Sequence, residues 1–151
     1  MKVGDICSRN VITVRETEEL TAAAQLMRQK HIGYLVVIQP KLNENTVAPV
    51  GVITDRDIVV GVVARETDPR ALKVGDVMTR QPVLARDDST VSTALHHMRE
   101  IGVRRVPVVD QAGRLVGVLS LDDVLDGLAE ELMDVASSIR HELKVESALR
   151  P

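Results

Sequence analysis

Apolar residues recur along this chain with two periods, and each pattern comes round twice. Leu20, Ala23, Ala24 and Met27 follow the i, i+3, i+4, i+7 stripe of an amphipathic helix, and Val91, Ala94, Leu95 and Met98 repeat it at identical spacing. Short extended pieces, "VITV" and "PVLA", precede these helices, and the runs "YLVVI" and "VPVV" after them suit buried strands. Return strands "VGVIT" and "LVGVLS" follow, each running into a second helical pattern. The predicted unit is β-α-β-β-α, twice. One such unit holds too few strands to stand alone, so the two are expected to close one core between them. Met27 and Met98 lie on the apolar stripes and read as core filler.

The duplication is also literal. "KVGDI" at Lys2–Ile6 returns as "KVGDV" at Lys73–Val77, an offset of 73 − 2 = 71, while Gly51 and Gly117 differ by 117 − 51 = 66. The five-residue difference falls in "QPKLNENTVAP", which reads as an extended loop where its counterpart "DQAGR" reads as a tight turn. The pattern divides the chain into repeat 1 (1–66), a linker (67–72), repeat 2 (73–130) and a helical extension (131–151). The stripe of the last helix runs on into that extension through Leu128, Leu132, Val135, Ala136, Ile139 and Leu143. Either it wraps around its own module or it presents a seam to a second subunit or partner.

Composition narrows the function classes. Of 151 residues 44% are apolar and 27% charged, a globular balance. The formal net charge of −3 lacks the basic excess that duplex DNA binding needs, and Tyr34 is the single aromatic residue, too little for stacking bases. Cys7 stands alone, so no internal disulfide forms and a reducing compartment fits. The N-terminus has no apolar signal segment, and the longest apolar runs are too short to span a bilayer. The expectation is a soluble cytoplasmic protein without nucleic-acid or membrane partners.

The candidate chemistry sits at the strand-to-helix junctions. In "GVITDRDI" Thr54 and Asp57 stand three apart, and in "GVLSLDDV" Ser120 and Asp123 repeat the arrangement. A hydroxyl followed by a carboxylate at that spacing is a capping box, with Asp where Glu or Gln is preferred. The same geometry serves a ligand: helix N–H groups and the hydroxyl attract a phosphate, and the carboxylate accepts from the vicinal diol of a ribose. Other chemistry is weaker. His96 and His97 are adjacent on a helix and diverge by about 100°, which disfavours chelation of one metal. His31 and His141 lack metal-spaced partners, and no glycine-rich phosphate loop is present. A Cys7–His pair would need the fold to assemble it.

The pieces "GVITDRDIV", "VGDVMTRQPV" and "GVRRVPVVDQAGRLVGVLS", in this order and duplicated, resemble a tandem pair of CBS domains, the regulatory modules named after cystathionine β-synthase. The resemblance implies an α+β pair about a pseudo-twofold axis, with two clefts that in many members take adenosine ligands such as AMP, ADP, ATP, S-adenosylmethionine or NAD. It further implies that Thr54 and Ser120 contact the first phosphate and that Asp57 and Asp123 bind ribose. Val11, Ile12 and Thr13, and Pro82, Val83 and Leu84, would meet the adenine through their backbone. Arg104 and Arg105 match a place where basic residues approach phosphates; repeat 1 has Gly33 and Tyr34 there, and Tyr34 is not expected to serve as an adenine platform. The function so implied is a non-enzymatic regulatory module with an adenosine nucleotide as regulatory ligand, no required cofactor or metal, an effector protein as partner, and homodimeric assembly. A structural adapter with empty clefts and a nucleotide-processing enzyme are the alternatives.

Overall fold

The computed structural model describes residues 1–42 and 44–150. In each half a four-residue helical turn precedes the predicted β-α-β-β-α order. The first half comprises α1 (Val3–Ile6), β1 (Thr13–Arg15), α2 (Leu20–Lys30), β2 (Tyr34–Pro40), β3 (Val47–Thr54) and α3 (Asp55–Ile58), which continues as a π-helical turn over Val59–Val63. A 3₁₀ turn at Pro69–Ala71 leads to α4 (Val74–Val77), β4 (Thr79–Arg80), β5 (Ala85–Arg86), α5 (Val91–Ile101), β6 (Arg105–Val109), β7 (Leu115–Ser120) and α6 (Leu121–Leu149). Two sheets result, of order β1-β2-β3-β4 and β5-β6-β7. In both, a parallel pair is followed by an antiparallel hairpin, with Val36 beside Thr13 and Val108 beside Ala85. The stripe residues of the sequence do what their spacing predicts: Leu20, Ala23 and Met27 of α2 and Val91, Ala94 and Met98 of α5 are buried on their sheets.

The loop expected over "QPKLNENTVAP" is strand at both ends. Gln39 pairs with Ala48 and Pro40 with Val47 beyond a bulge at Val37/Ile38, which confines the connection to 41–46, with Asn43 outside the described residues. Pro49 is tolerated there because β4 pairs with β3 only at Gly51 and Val52, leaving that end of the strand an edge. The counterpart in repeat 2 is the expected tight turn. Asp110 accepts from the backbone N–H groups of Ala112 and Arg114, and Gly113 supplies the left-handed residue at φ 78°.

The packed units are not the sequence repeats. Val3 and Cys7 belong to the core of the second half, with Met98, Val106, Val108 and Leu119, whereas Val74 and Met78 belong to the core of the first, with Leu20, Leu35, Val37 and Ile53. Each opening turn therefore crosses to the other module. Hydrogen bonds fix both crossings in the same way: Val3 and Gly4 N–H donate to Ser89 and Asp87 carbonyls, and Val74 and Gly75 N–H donate to Glu18 and Glu16, all at 2.9 Å. Arg9 Nη2 donates to the Gly4 carbonyl and Arg80 Nη2 to that of Gly75, both at 3.0 Å. Ser8 bridges Val118, as Thr79 pairs with Val52. The crossings obey the pseudo-twofold relation that the duplication implies. The divisions 1–66 and 73–130 thus follow the chain, and each core takes in the opening turn of the other repeat.

The two readings of the last helix diverge here. Val124 and Gly127 of α6 are buried, with Met1 and Ile6 against Gly127, but every described residue from Leu128 onward is exposed. Leu132 is 74% exposed, Val135 58% and Ile139 54%, so the extension does not wrap around its own module.

Candidate functional site: a cleft at the crossing of the two modules

Both junction motifs fold as capping boxes. Asp57 Oδ2 accepts from Thr54 N–H at 2.9 Å while Thr54 Oγ1 accepts from Asp57 N–H at 3.1 Å. Asp123 Oδ2 accepts from Ser120 N–H at 2.8 Å and Ser120 Oγ from Asp123 N–H at 3.0 Å. Each carboxylate therefore uses one oxygen to secure the helix start. Among the described residues, no hydrogen bond is formed to Oδ1 of either. Both acids are half-buried, open enough to reach a ligand.

The Asp123 junction opens on a cleft of about 380 Å³, within the usual range for small-molecule sites. One wall comes from the second half: Arg105, Val118, Ser120 and Asp123. The opposite wall comes from the first: Ser8, Asn10, Val11 and Ile12 before β1, then Lys30 to Tyr34 at the end of α2, and Val36. The crossing of α1 creates this arrangement, because the Ser8–Val118 bridge, with both N–H···O distances at 2.9 Å, ties the segment before β1 to β7. Gly117 permits it, since a Cβ there would lie 2.7 Å from the Ser8 carbonyl oxygen. On the far side α2 ends with His31 in the left-handed region at φ 55°, which turns Lys30–Gly33 along the cleft. Lys30 and Arg105 bring two fixed positive charges against the single carboxylate of Asp123, a balance that suits an anionic ligand.

Of the residues singled out in the sequence, Val11, Ile12, Arg105, Ser120 and Asp123 come together here. Thr13 starts β1 and is not part of the lining. Thr54 and Asp57, and Pro82, Val83 and Leu84, do not line it either; at offsets of 66 and 71 they are the counterparts of Ser120, Asp123 and Val11–Thr13 across the pseudo-twofold. Arg104 and Arg105 part company: Arg105 pairs with Ser120 in the sheet, whereas Arg104 lines a separate groove with Ser92, Leu95, Arg99 and Leu121. Arg104 lies at the bend before β6 and Arg105 is the first residue of the strand, so the two adjacent arginines enter different grooves.

Tyr34, Lys30 and His31 are among the lining residues the motifs did not supply. Tyr34 is the repeat-1 counterpart of Arg105, yet both residues line the same cleft. Near the axis of a duplicated fold, such a signal was available from the offset of 71 alone. Burial drives the Tyr34 hydroxyl above its ordinary pKa, and the nearby Arg105 charge opposes this only in part. Its oxygen is buried with no hydrogen-bond partner among the described residues. A hydroxyl so placed costs about 1–3 kcal/mol. Tyr34→Phe is accordingly expected to raise the melting temperature by a few degrees, measured by calorimetry without ligand; a drop would show the hydroxyl to be satisfied in solution. Cys7, the other buried titratable group, has its thiol pushed up chiefly by burial, the reverse of what a nucleophilic thiolate requires.

Two interlocked α+β modules related by a pseudo-twofold, with a cleft where they cross, define a tandem paired-module protein. The chain belongs to the CBS-domain family, whose model matches residues 3–64 and 74–130. An uncharacterised protein of Methanopyrus kandleri is 34% identical over 125 residues, and the match covers 83% of this chain but 61% of that protein. Among solved structures, a CBS domain pair in complex with 5′-methylthioadenosine and S-adenosyl-L-methionine is 26% identical with a TM-score of 0.72, over 87% of this chain and 98% of that one. CBSX2 in complex with AMP is 28% identical with a TM-score of 0.69, over 85% and 96%.

Proposed function

We propose that this chain is a non-enzymatic regulatory module that binds an adenosine nucleotide in the Asp123 cleft and passes its occupancy to a partner protein. The observation that carries the reading is one cleft lined by Asp123, whose Oδ1 accepts no hydrogen bond among the described residues, by Arg105 on the same wall and by Lys30 on the opposite one. A ribose diol on the carboxylate and a 5′-phosphate between Ser120, the α6 N-terminus and Arg105 would use every charged group of the wall. The adenine would lie against Val11 and Ile12, where backbone amides and apolar side chains substitute for an aromatic platform. That related pairs were solved with AMP and with S-adenosylmethionine supports the ligand class. The pseudo-symmetric residues Thr54, Asp57, Pro82, Val83 and Leu84 would form a second, weaker site, and Arg104 a contact outside either.

Occupancy can act on a partner only by favouring one arrangement of the modules over another. Drawing Arg105 and the start of α6 toward one phosphate would couple the two modules through the crossing turns. We place this in a homodimer acting in the cytoplasm, with no cofactor and an effector protein as the recipient. Thermal shift of the purified chain against AMP, ADP, ATP, S-adenosylmethionine and NAD tests the reading, followed by product analysis of each incubated ligand. A stabilised protein and an unchanged ligand are expected. No shift with any of them would leave the adapter reading, and turnover would replace the module with an enzyme.

A further inference from the structure

The free part of α6 carries an apolar seam and a lopsided distribution of charge. Leu125, Leu128, Leu132, Val135 and Ile139 succeed one another at intervals of three and four, the a and d spacing of a two-helix seam, and all are exposed. A helix of this length standing off a domain gains little from propensity, and its stability ordinarily comes from covering such a face. Continued in the same register, the seam meets Glu142, with the exposed Leu143 beside it, and Glu146 before closing on Leu149. The first 19 residues of α6 hold six carboxylates, from Asp122 to Asp134, and no Lys or Arg. Beyond them Arg140, Lys144 and Arg150 outnumber Glu142 and Glu146.

We propose that α6 pairs antiparallel with α6 of a second copy of this chain. A parallel pair would set Glu142 on Glu142 and Glu146 on Glu146 inside the seam and align the two acidic halves. Like charges placed so close are destabilising, the more so where water is excluded. The antiparallel pair lays each acidic half beside the half that carries the arginines and the lysine. Overlap of residues 125–149 then sets Val135 beside Ile139 of the second copy and closes the ends with Leu125 on Leu149. Glu142 then faces Leu132 and Glu146 faces Leu128, so no two carboxylates meet within the seam. The pairing gives the homodimer proposed above a surface and a direction, and rests on that reading.

Cross-linking of the full-length chain decides it, because a disulfide forms only between Cβ atoms about 4 Å apart. Leu125→Cys and Leu149→Cys variants are prepared separately, then mixed and oxidised; Cys7 is buried and does not compete. The mixture should yield a covalent heterodimer and neither variant alone a covalent dimer. Self-linking of Leu149→Cys would show the helices to be parallel, and no link in the mixture would remove the proposal. Sedimentation of Leu132→Asp/Ile139→Asp separates this inference from the dimer itself. Both side chains are exposed, so folding, followed by circular dichroism, should persist while dimer affinity falls roughly a hundredfold or more. A dimer unaffected by these changes keeps the homodimer and rejects the α6 pairing, and a wild-type monomer at micromolar concentration rejects both.

Discussion

Val3→Asp should unfold the second module first, although Val3 lies at the start of the first repeat. Val3 is fully buried among Ala94, Met98, Val106 and Leu119, and Asp would bring an unpaired charge into that core. Removal of compensation from a buried charge costs roughly 3–5 kcal/mol, a large share of the stability of a domain this size. The informative measurement is amide hydrogen exchange by residue. Protection should fall in β6 and β7 before β2 and β3, and Val74→Asp should reverse the order, since Val74 is buried in the other core. Early loss in β2 and β3 with Val3→Asp would show that the opening turn packs with its own repeat in solution.

Asp123→Asn is expected to weaken nucleotide binding by roughly ten- to a hundredfold, the loss of about one charge-assisted hydrogen bond. The structure makes this a clean separation of two roles. Asn keeps a carbonyl oxygen to accept from Ser120 N–H, the 2.8 Å bond that starts α6, and Asn and Asp cap helices about equally well. The melting temperature without ligand should therefore move by only a few degrees. A diol, by contrast, would meet one acceptor and an amide donor in place of two acceptors, and the carboxylate that lines the cleft with Arg105 and Lys30 would be gone. Calorimetric titration with AMP and ATP measures the change, with 2′-deoxy analogues as the control. Deoxy ligands should bind wild type poorly and lose little further in the variant. Equal affinity for all combinations would leave Asp123 as a helix cap alone.

The sequence made the elements and part of the cleft legible, for identifiable reasons. Helix stripes such as Leu20–Met27 report a local period, so α2 and α5 were readable, and the Ser120/Asp123 box could be placed because strand, cap and helix are contiguous. The crossing of α1 was not readable: "KVGDI" and "KVGDV" signal a repeat, but an apolar Val3 suits either core equally. For the same reason the wall opposite Asp123 went unassigned in part, because Lys30, His31 and Tyr34 reach it through packing between halves. The loop of repeat 1 is shorter than its composition predicts, since Pro and Asn signal a turn without revealing how far an edge hairpin can run. Arg104 was grouped with its neighbour because charge is visible in a sequence and the residue at which a strand begins is not.

The exchange of opening turns also governs what a cut through the chain would do. Scission between Glu66 and Leu72 would leave each fragment holding a piece of the other's interior: the first would keep Val3 and Cys7, the second Val74 and Met78. Neither fragment could bury its own apolar surface, yet each carries the plug the other lacks. The pieces should remain clasped after proteolytic nicking and reassemble when co-expressed, in the manner of a split reporter. The connecting peptide would then be dispensable for architecture, and domain fusions could be inserted there while the Asp123 cleft stays intact.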